Sequence, residues 1–161
     1  MKRDTHGTRA RLEYQEQDSA QTLADGLEEY YAANVGTVTR PRDLPPESAA
    51  LFRSHDICHV IFGLNTSLTD EALADTRALL SSDVGYRRYV SYLRTNAEAQ
   101  AIFKRVGYVR SMWITLLATP RILRAVVASW EMRTNWPWET PEAFQCRSLY
   151  ELRVEFSIRV I

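Results

Sequence analysis

What most constrains this chain is its punctuation. Glycine is scarce, and no Asn-Gly or Asp-Gly hairpin turn stands between alternating, strand-like runs. The segments between breaks instead carry helical spacing. Ser19 to Asn34 places Leu23, Leu27, Tyr30 and Tyr31 on one face, and Asn34-Val35-Gly36 can stop that helix. Prolines and alternating charges from Thr37 to Pro46 mark a loop. A second helix should begin near Pro46 and Glu47, carry the stripe Leu51, His55, Cys58, His59 and Phe62, and stop at Gly63. Thr69 or Asp70 can cap a third, running to about Ser82. A fourth is expected from about Tyr86 to Arg105, with Gly107 after it. Thr119-Pro120 reads as an N-cap and first helical position, dividing Tyr108 to Asn135 into two helices. Trp136-Pro137-Trp138 reads as a turn and Thr140-Pro141-Glu142 as another cap. Ser148 with Glu151 forms a capping-box pattern. Leu152 to Ile161 stays open between helix and strand, because Val154 to Ile158 alternates. The fold expected is all-α: a mobile segment over 1–18, then a single domain over 19–161 with six or seven helices.

A length of 161 residues suits one domain, and 45% hydrophobic with 25% charged residues is the balance of a globular chain with a core. Twenty basic side chains meet twenty acidic ones, so the basic excess of a general nucleic-acid binder is missing. The longest apolar runs, such as Trp113 to Ala118, fall far short of the roughly 20 residues a spanning helix needs. Met1 to Arg11 has no apolar core of the secretory type. Cys58 and Cys146, far apart in sequence, suit reduced thiols. The expected setting is cytoplasmic.

The chemistry concentrates in one place. Of three histidines, His55 and His59 stand four residues apart, which puts both imidazoles on one helix face within reach of a shared metal ion. Asp56 follows the first, and Glu71 lies in the first turn of the next helix. The loop from Gly63 to Asp70 can fold that helix back and bring Glu71 towards the histidines, so the metal site would lie between two consecutive helices. Two imidazoles with one or two carboxylates suit zinc, or non-haem iron(II), with positions left for water or substrate. The bland alternative is two core histidines bonded to buried carboxylates, with Glu71 a helix-dipole acid.

His55-Asp56-Ile57-Cys58-His59, eleven residues and then Glu71 resembles the His-Asp-x-x-His-x11-Glu motif of the ubiquinone (coenzyme Q) biosynthesis protein 4 family. The flanks are similar too: Tyr30-Tyr31 before a proline-containing loop, Phe52-Arg53 ahead of the motif, Phe62-Gly63 behind it, Trp138-Glu139, and Leu149-Tyr150-Glu151-Leu152-Arg153. The resemblance runs from about Ala24 to Ile158 and is specific only in the motif. It implies an all-helical protein with a divalent metal, usually zinc, held by His55, Asp56, His59 and Glu71. It also implies a groove for a polyprenyl chain, a homodimer, and oxidative decarboxylation of a polyprenylated benzoate ring. Contact with the inner face of a membrane or with a biosynthetic complex goes with such a substrate. The absence of a mitochondrial-type presequence suggests a bacterial member, whose substrate could be another apolar aromatic acid. Where that family usually has glycine before the motif glutamate, this chain has Asp70, the nearest candidate for a catalytic acid or base beside the metal.

Three further readings complete the expectations. Tyr108, Met112, Trp113, Leu116, Leu117, Ile122, Leu123, Val126, Val127 and Trp130 form helical stripes that pack a core or a dimer, some of them lining a pocket. Arg87, Arg88 and Arg94, among Tyr86, Tyr89 and Tyr92, read as a solvated face. A scaffold holding prenylated intermediates around a structural metal is the alternative function. A phosphohydrolase with a histidine-aspartate dyad is more distant, because its extra upstream ligand would have to be His6.

Overall fold

Local chemistry sets the helix ends. The computed structural model describes residues 11–95, 100 and 108–161. Helix α1 (Leu23–Ala33) opens on a reciprocal cap, in which Thr22 Oγ1 accepts the Asp25 amide and the Asp25 carboxylate accepts the Thr22 amide. Helix α2 (Pro46–Ile61) starts on proline, whose fixed φ suits the first turn. Helix α3 (Leu68–Ser81) is capped by Ser67, whose hydroxyl accepts the Asp70 amide at 3.1 Å. Ser67 therefore takes the place expected for Thr69 or Asp70, since a cap must reach the amide three residues ahead. Helices α4 (Tyr86–Thr95), α5 (Tyr108–Trp130) and α6 (Leu149–Phe156) follow, with 3-10 turns at Glu13–Gln15, Pro41–Asp43 and Glu142–Cys146. The described residues thus contain six α-helices and no strand, the expected all-α architecture. Residues 96–99 and 101–107, the rest of the expected fourth helix with Gly107, lie outside the described residues.

Helix α2 forms the centre. From Asp56 to Leu64 every residue is buried, because α1, α3 and the N-terminal turn cover it on different sides. The expected α1 stripe, Leu23, Leu27, Tyr30 and Tyr31, is buried. Close approach of α1 to α2 depends on Gly26, where a Cβ would stand 2.8 Å from Val60 Cγ1. Helix α6 is stitched to the start of α1 by the Leu149 amide on Gln21 O and the Leu23 amide on Arg147 O. Its Phe156 packs with Trp136 and Phe144.

Two further expectations change, and one open reading closes. The division at Thr119-Pro120 does not occur: α5 runs through Pro120 as one helix. An interior proline forfeits a hydrogen bond and costs about 3 kcal/mol. Packing on α3 offsets it, through Arg77 Nη1 donating to Ala125 O and Ser129 Oγ, and through the 2.6 Å contact of Ser81 and Ser129 hydroxyls. The expected mobile segment 1–18 is packed from residue 11 onward, residues 1–10 lying outside the description. Tyr14 is fully buried and donates its hydroxyl to Leu64 O at 2.9 Å, so the core claims this segment for the domain. Finally, the open C-terminal stretch is helical to Phe156 and ends on Ser157 in the left-handed region.

The end of α2 carries the fold into the site. Gly63, at φ +70°, follows the helix, its amide reaching Val60 O at 3.1 Å while the Leu64 amide reaches His59 O at 2.7 Å. This pair of bonds is a Schellman motif, and it reverses the chain immediately beyond His59. A side chain at 63 would be strained in this conformation, and its Cβ would stand 2.6 Å from Val160 Cγ1. Gly63→Ala is therefore expected to cost about 2 kcal/mol or more in urea denaturation; a change within experimental error would show that the turn tolerates another conformation.

Candidate metal centre

Because α2 and α3 are joined by six residues, 62–67, they form an antiparallel hairpin whose facing positions are fixed. One turn back along α2 matches one turn forward along α3. His59 therefore faces Glu71, with Nε2 to Oε2 at 3.4 Å, and His55 faces Asp75, with Nε2 to Oδ1 at 3.5 Å. His55, His59 and Glu71 each offer a ligand atom, and these atoms lie within 4.8 Å of one another. The structure thus brings together three of the residues chosen from sequence, between two consecutive helices, in a group that can hold a metal ion.

His59 supplies the sharpest observation. Its side chain is 0% exposed, and neither ring nitrogen makes a hydrogen bond among the described residues. A buried polar atom left unpaired costs roughly 1–3 kcal/mol, so such groups normally find partners. Tyr30 stacks on the ring at 5.4 Å between centroids and the His55 ring meets it edge-on at 4.8 Å, which fixes its plane. The core-histidine alternative keeps the ion pairs of His55 with Asp75 and of His59 with Glu71, but it leaves Nδ1 of His59 without a hydrogen bond among the described residues. A held imidazole with unpaired nitrogens, beside a second imidazole and a carboxylate, is a donor set that fits zinc or iron(II).

Burial works against a proton on His55, but Asp75, Glu71 and Asp56 outweigh it and raise its pKa to about 9. Burial likewise opposes charge on Glu71, yet His59 and His55 hold its carboxyl below the ordinary range. Asp75 is held down against burial by His55 and by the Tyr89 hydroxyl, which donates to Oδ1. Cys58 is fully buried in the core, which pushes its thiol up to about 12 and keeps it protonated.

Two expected residues stand apart from the converging atoms. Asp56 is buried, and its Oδ2 accepts the Tyr31 hydroxyl at 3.0 Å; burial raises its pKa to about 6 despite the neighbouring histidines. Asp70, expected as the catalytic acid, instead pairs through Oδ1 with Arg121 Nη2 at 3.0 Å and ties α3 to α5. One position along a helix turns a side chain by about 100°, which takes Asp70 off the face that presents Glu71. Asp75 was missed from sequence. Its signal was present, for Glu71 and Asp75 repeat on α3 the four-residue spacing of His55 and His59 on α2.

Of the expected pocket lining, the side chains of Tyr108, Met112, Trp113, Leu116 and Leu117 lie outside the described residues, as does His6. Ile122 packs on the core, whereas Leu123, Val127 and Trp130 form an exposed apolar stripe along α5. Tyr89 leaves the solvated arginine face and is buried against Trp138. No described helix is long and apolar enough to cross a membrane. Searches against protein-family profiles, curated proteins and solved structures find no match to this chain.

Proposed function

We propose that this chain is a metal-dependent enzyme of the ubiquinone-biosynthesis type that decarboxylates a prenylated or other apolar aromatic acid. The observation that carries the metal reading is the convergence of His55, His59 and Glu71, with the buried His59 nitrogens making no hydrogen bond among the described residues. The reaction class rests on the motif resemblance alone. Zn2+ is the first choice, and Fe2+ the choice if dioxygen is consumed. Bound there, such a cation supplies positive charge for a substrate carboxylate or phenolate as negative charge builds on the ring. The chain's own residues set the conditions. His59 and Asp56 close the inner side to water, while the Glu71 and Asp75 side chains, 40% and 39% exposed, leave the outer side open to substrate. In the reaction the bond between ring and carboxyl carbon breaks, carbon dioxide leaves, and the electron pair left on the ring takes a proton. In the oxidative form the ring carbon takes hydroxyl instead of a proton, and dioxygen is the two-electron oxidant: aromatic acid, dioxygen and water give phenol, carbon dioxide and hydrogen peroxide.

Elemental analysis of the purified protein is expected to give about one zinc or iron per chain, lost in a His55→Ala, His59→Ala double variant. Binding must displace the proton that His55 carries below a pKa of about 9, so affinity should fall as pH falls below that value. Release of carbon dioxide from a carboxyl-labelled prenylated benzoate then tests the reaction. No metal after reconstitution would sink the reading. The exposed stripe Leu123, Val127 and Trp130 favours, as second reading, a scaffold that meets a lipid or a second copy of the chain. Stoichiometric metal without turnover would select it.

A further inference from the structure

The structure assigns Asp75 to the metal site as a fourth protein ligand, the place the motif resemblance gives to Asp56. This rests on the metal reading above. Donor atoms about 2.0–2.2 Å from one ion, at tetrahedral or octahedral angles, stand roughly 2.8–3.6 Å from their neighbours. His59 Nε2 and Glu71 Oε2 are 3.4 Å apart, and His55 Nε2 and Asp75 Oδ1 are 3.5 Å apart. Both separations are longer than an ordinary N–H···O hydrogen bond, and both suit two donors sharing a cation. The hairpin explains both pairs, since residues spaced by four on each of two antiparallel helices face each other at successive turns. The converging group itself is His55, His59 and Glu71, and Asp75 adjoins it through His55. The second support is the fully buried His59 ring, held between Tyr30 and His55, whose nitrogens make no hydrogen bond among the described residues. Asp75 is also held as ligating carboxylates are, by an outer hydrogen bond from the buried Tyr89 hydroxyl of α4 to Oδ1. Asp56 carries a bond of the same kind, from Tyr31 to Oδ2, but unlike Asp75 it forms no ion pair with either histidine among the described residues.

Cobalt(II) titration of the full chain tests this, because the intensity and position of its visible bands report the number and type of ligands. The wild type should bind one ion. Asp75→Asn should weaken binding by about 100-fold or more and change the bands of the ion that remains, whereas Asp56→Asn should leave the bands as in wild type. Asp75→His, which offers nitrogen in place of oxygen, should restore tight binding with shifted bands, and it decides the matter if Asp75→Asn fails to fold. Wild-type bands in Asp75→Asn, at any affinity, would overturn the assignment while leaving the metal reading intact. Altered bands in Asp56→Asn with unaltered bands in Asp75→Asn would return the ligand to Asp56. A wild type that binds no cobalt would remove the metal reading itself, and the assignment with it.

Discussion

Replacing His59 with leucine should abolish metal-dependent stabilisation and leave the metal-free protein at least as stable as the wild type. The two halves of this result have one cause. In the metal-free protein neither nitrogen of a fully buried imidazole has a hydrogen-bond partner among the described residues, which costs roughly 1–3 kcal/mol for each such group. Leucine fills a similar volume without polar atoms and removes that cost, and Glu71, 40% exposed, can turn to water when its partner goes. Wild type with metal at a thousand times its dissociation constant gains about 4 kcal/mol, or roughly 10 °C in melting temperature. Thermal denaturation of both proteins with and without zinc separates the contributions. A variant that still responds to zinc would remove His59 from the site. A variant several kcal/mol less stable than metal-free wild type would mean that the ring earns its place as an ordinary core residue.

The largest purely structural effect is expected at Arg153. Its guanidinium, 1% exposed, lies against the end of α2 and donates to Val60 O and Ile61 O, both at 2.9 Å, and to Tyr14 O and Glu16 O. No carboxylate pairs with it among the described residues; the negative end of the α2 dipole and the carbonyls of the N-terminal turn take that part. Burial lowers its pKa to about 10, which still leaves it charged at neutral pH. Arg153→Met keeps much of the volume and strips one donor group from four carbonyls, three of them in buried bonds. The expected loss is about 4 kcal/mol in equilibrium unfolding. Arg77 offers the comparison. It is equally buried, but its acceptors stand at 3.2–3.3 Å, its Nε has no hydrogen bond among the described residues, and it packs over the Phe62 ring, so Arg77→Met should cost less. The reverse order would show that packing on α5, not closure of α2, limits stability. Because the Schellman turn and His59 adjoin the Arg153 contacts, partial unfolding in Arg153→Met should also weaken metal binding.

Periodicity and caps made much of this fold legible. The α1 stripe, the Pro46 start, the Gly63 stop and the Ser148 cap are local features, decided by side chains within four residues of the backbone they satisfy. The same holds for His55 and His59, whose shared face follows from helix geometry alone. What failed was the reading of positions whose neighbours are distant in sequence. Pro120 looks like a boundary from its own chemistry and is overridden by Arg77 and Ser81 of α3. Asp70 looks like a site acid because it precedes Glu71, and Arg121, 51 residues on, claims it. Tyr14 looks like part of a frayed end until Leu64 accepts its hydroxyl.

The sequence by itself determined the helices, their caps and the four-residue spacing of the histidines, because each depends on hydrogen bonds and rotations repeated every turn. Only the tertiary structure decided which carboxylates meet those histidines. That pairing depends on the direction in which Gly63 and Ser67 reverse the chain, and on Tyr31, Arg121 and Tyr89 reaching Asp56, Asp70 and Asp75 from other helices. Side chains adjacent in sequence point about 100° apart on a helix, so closeness along the chain gives no closeness at the site.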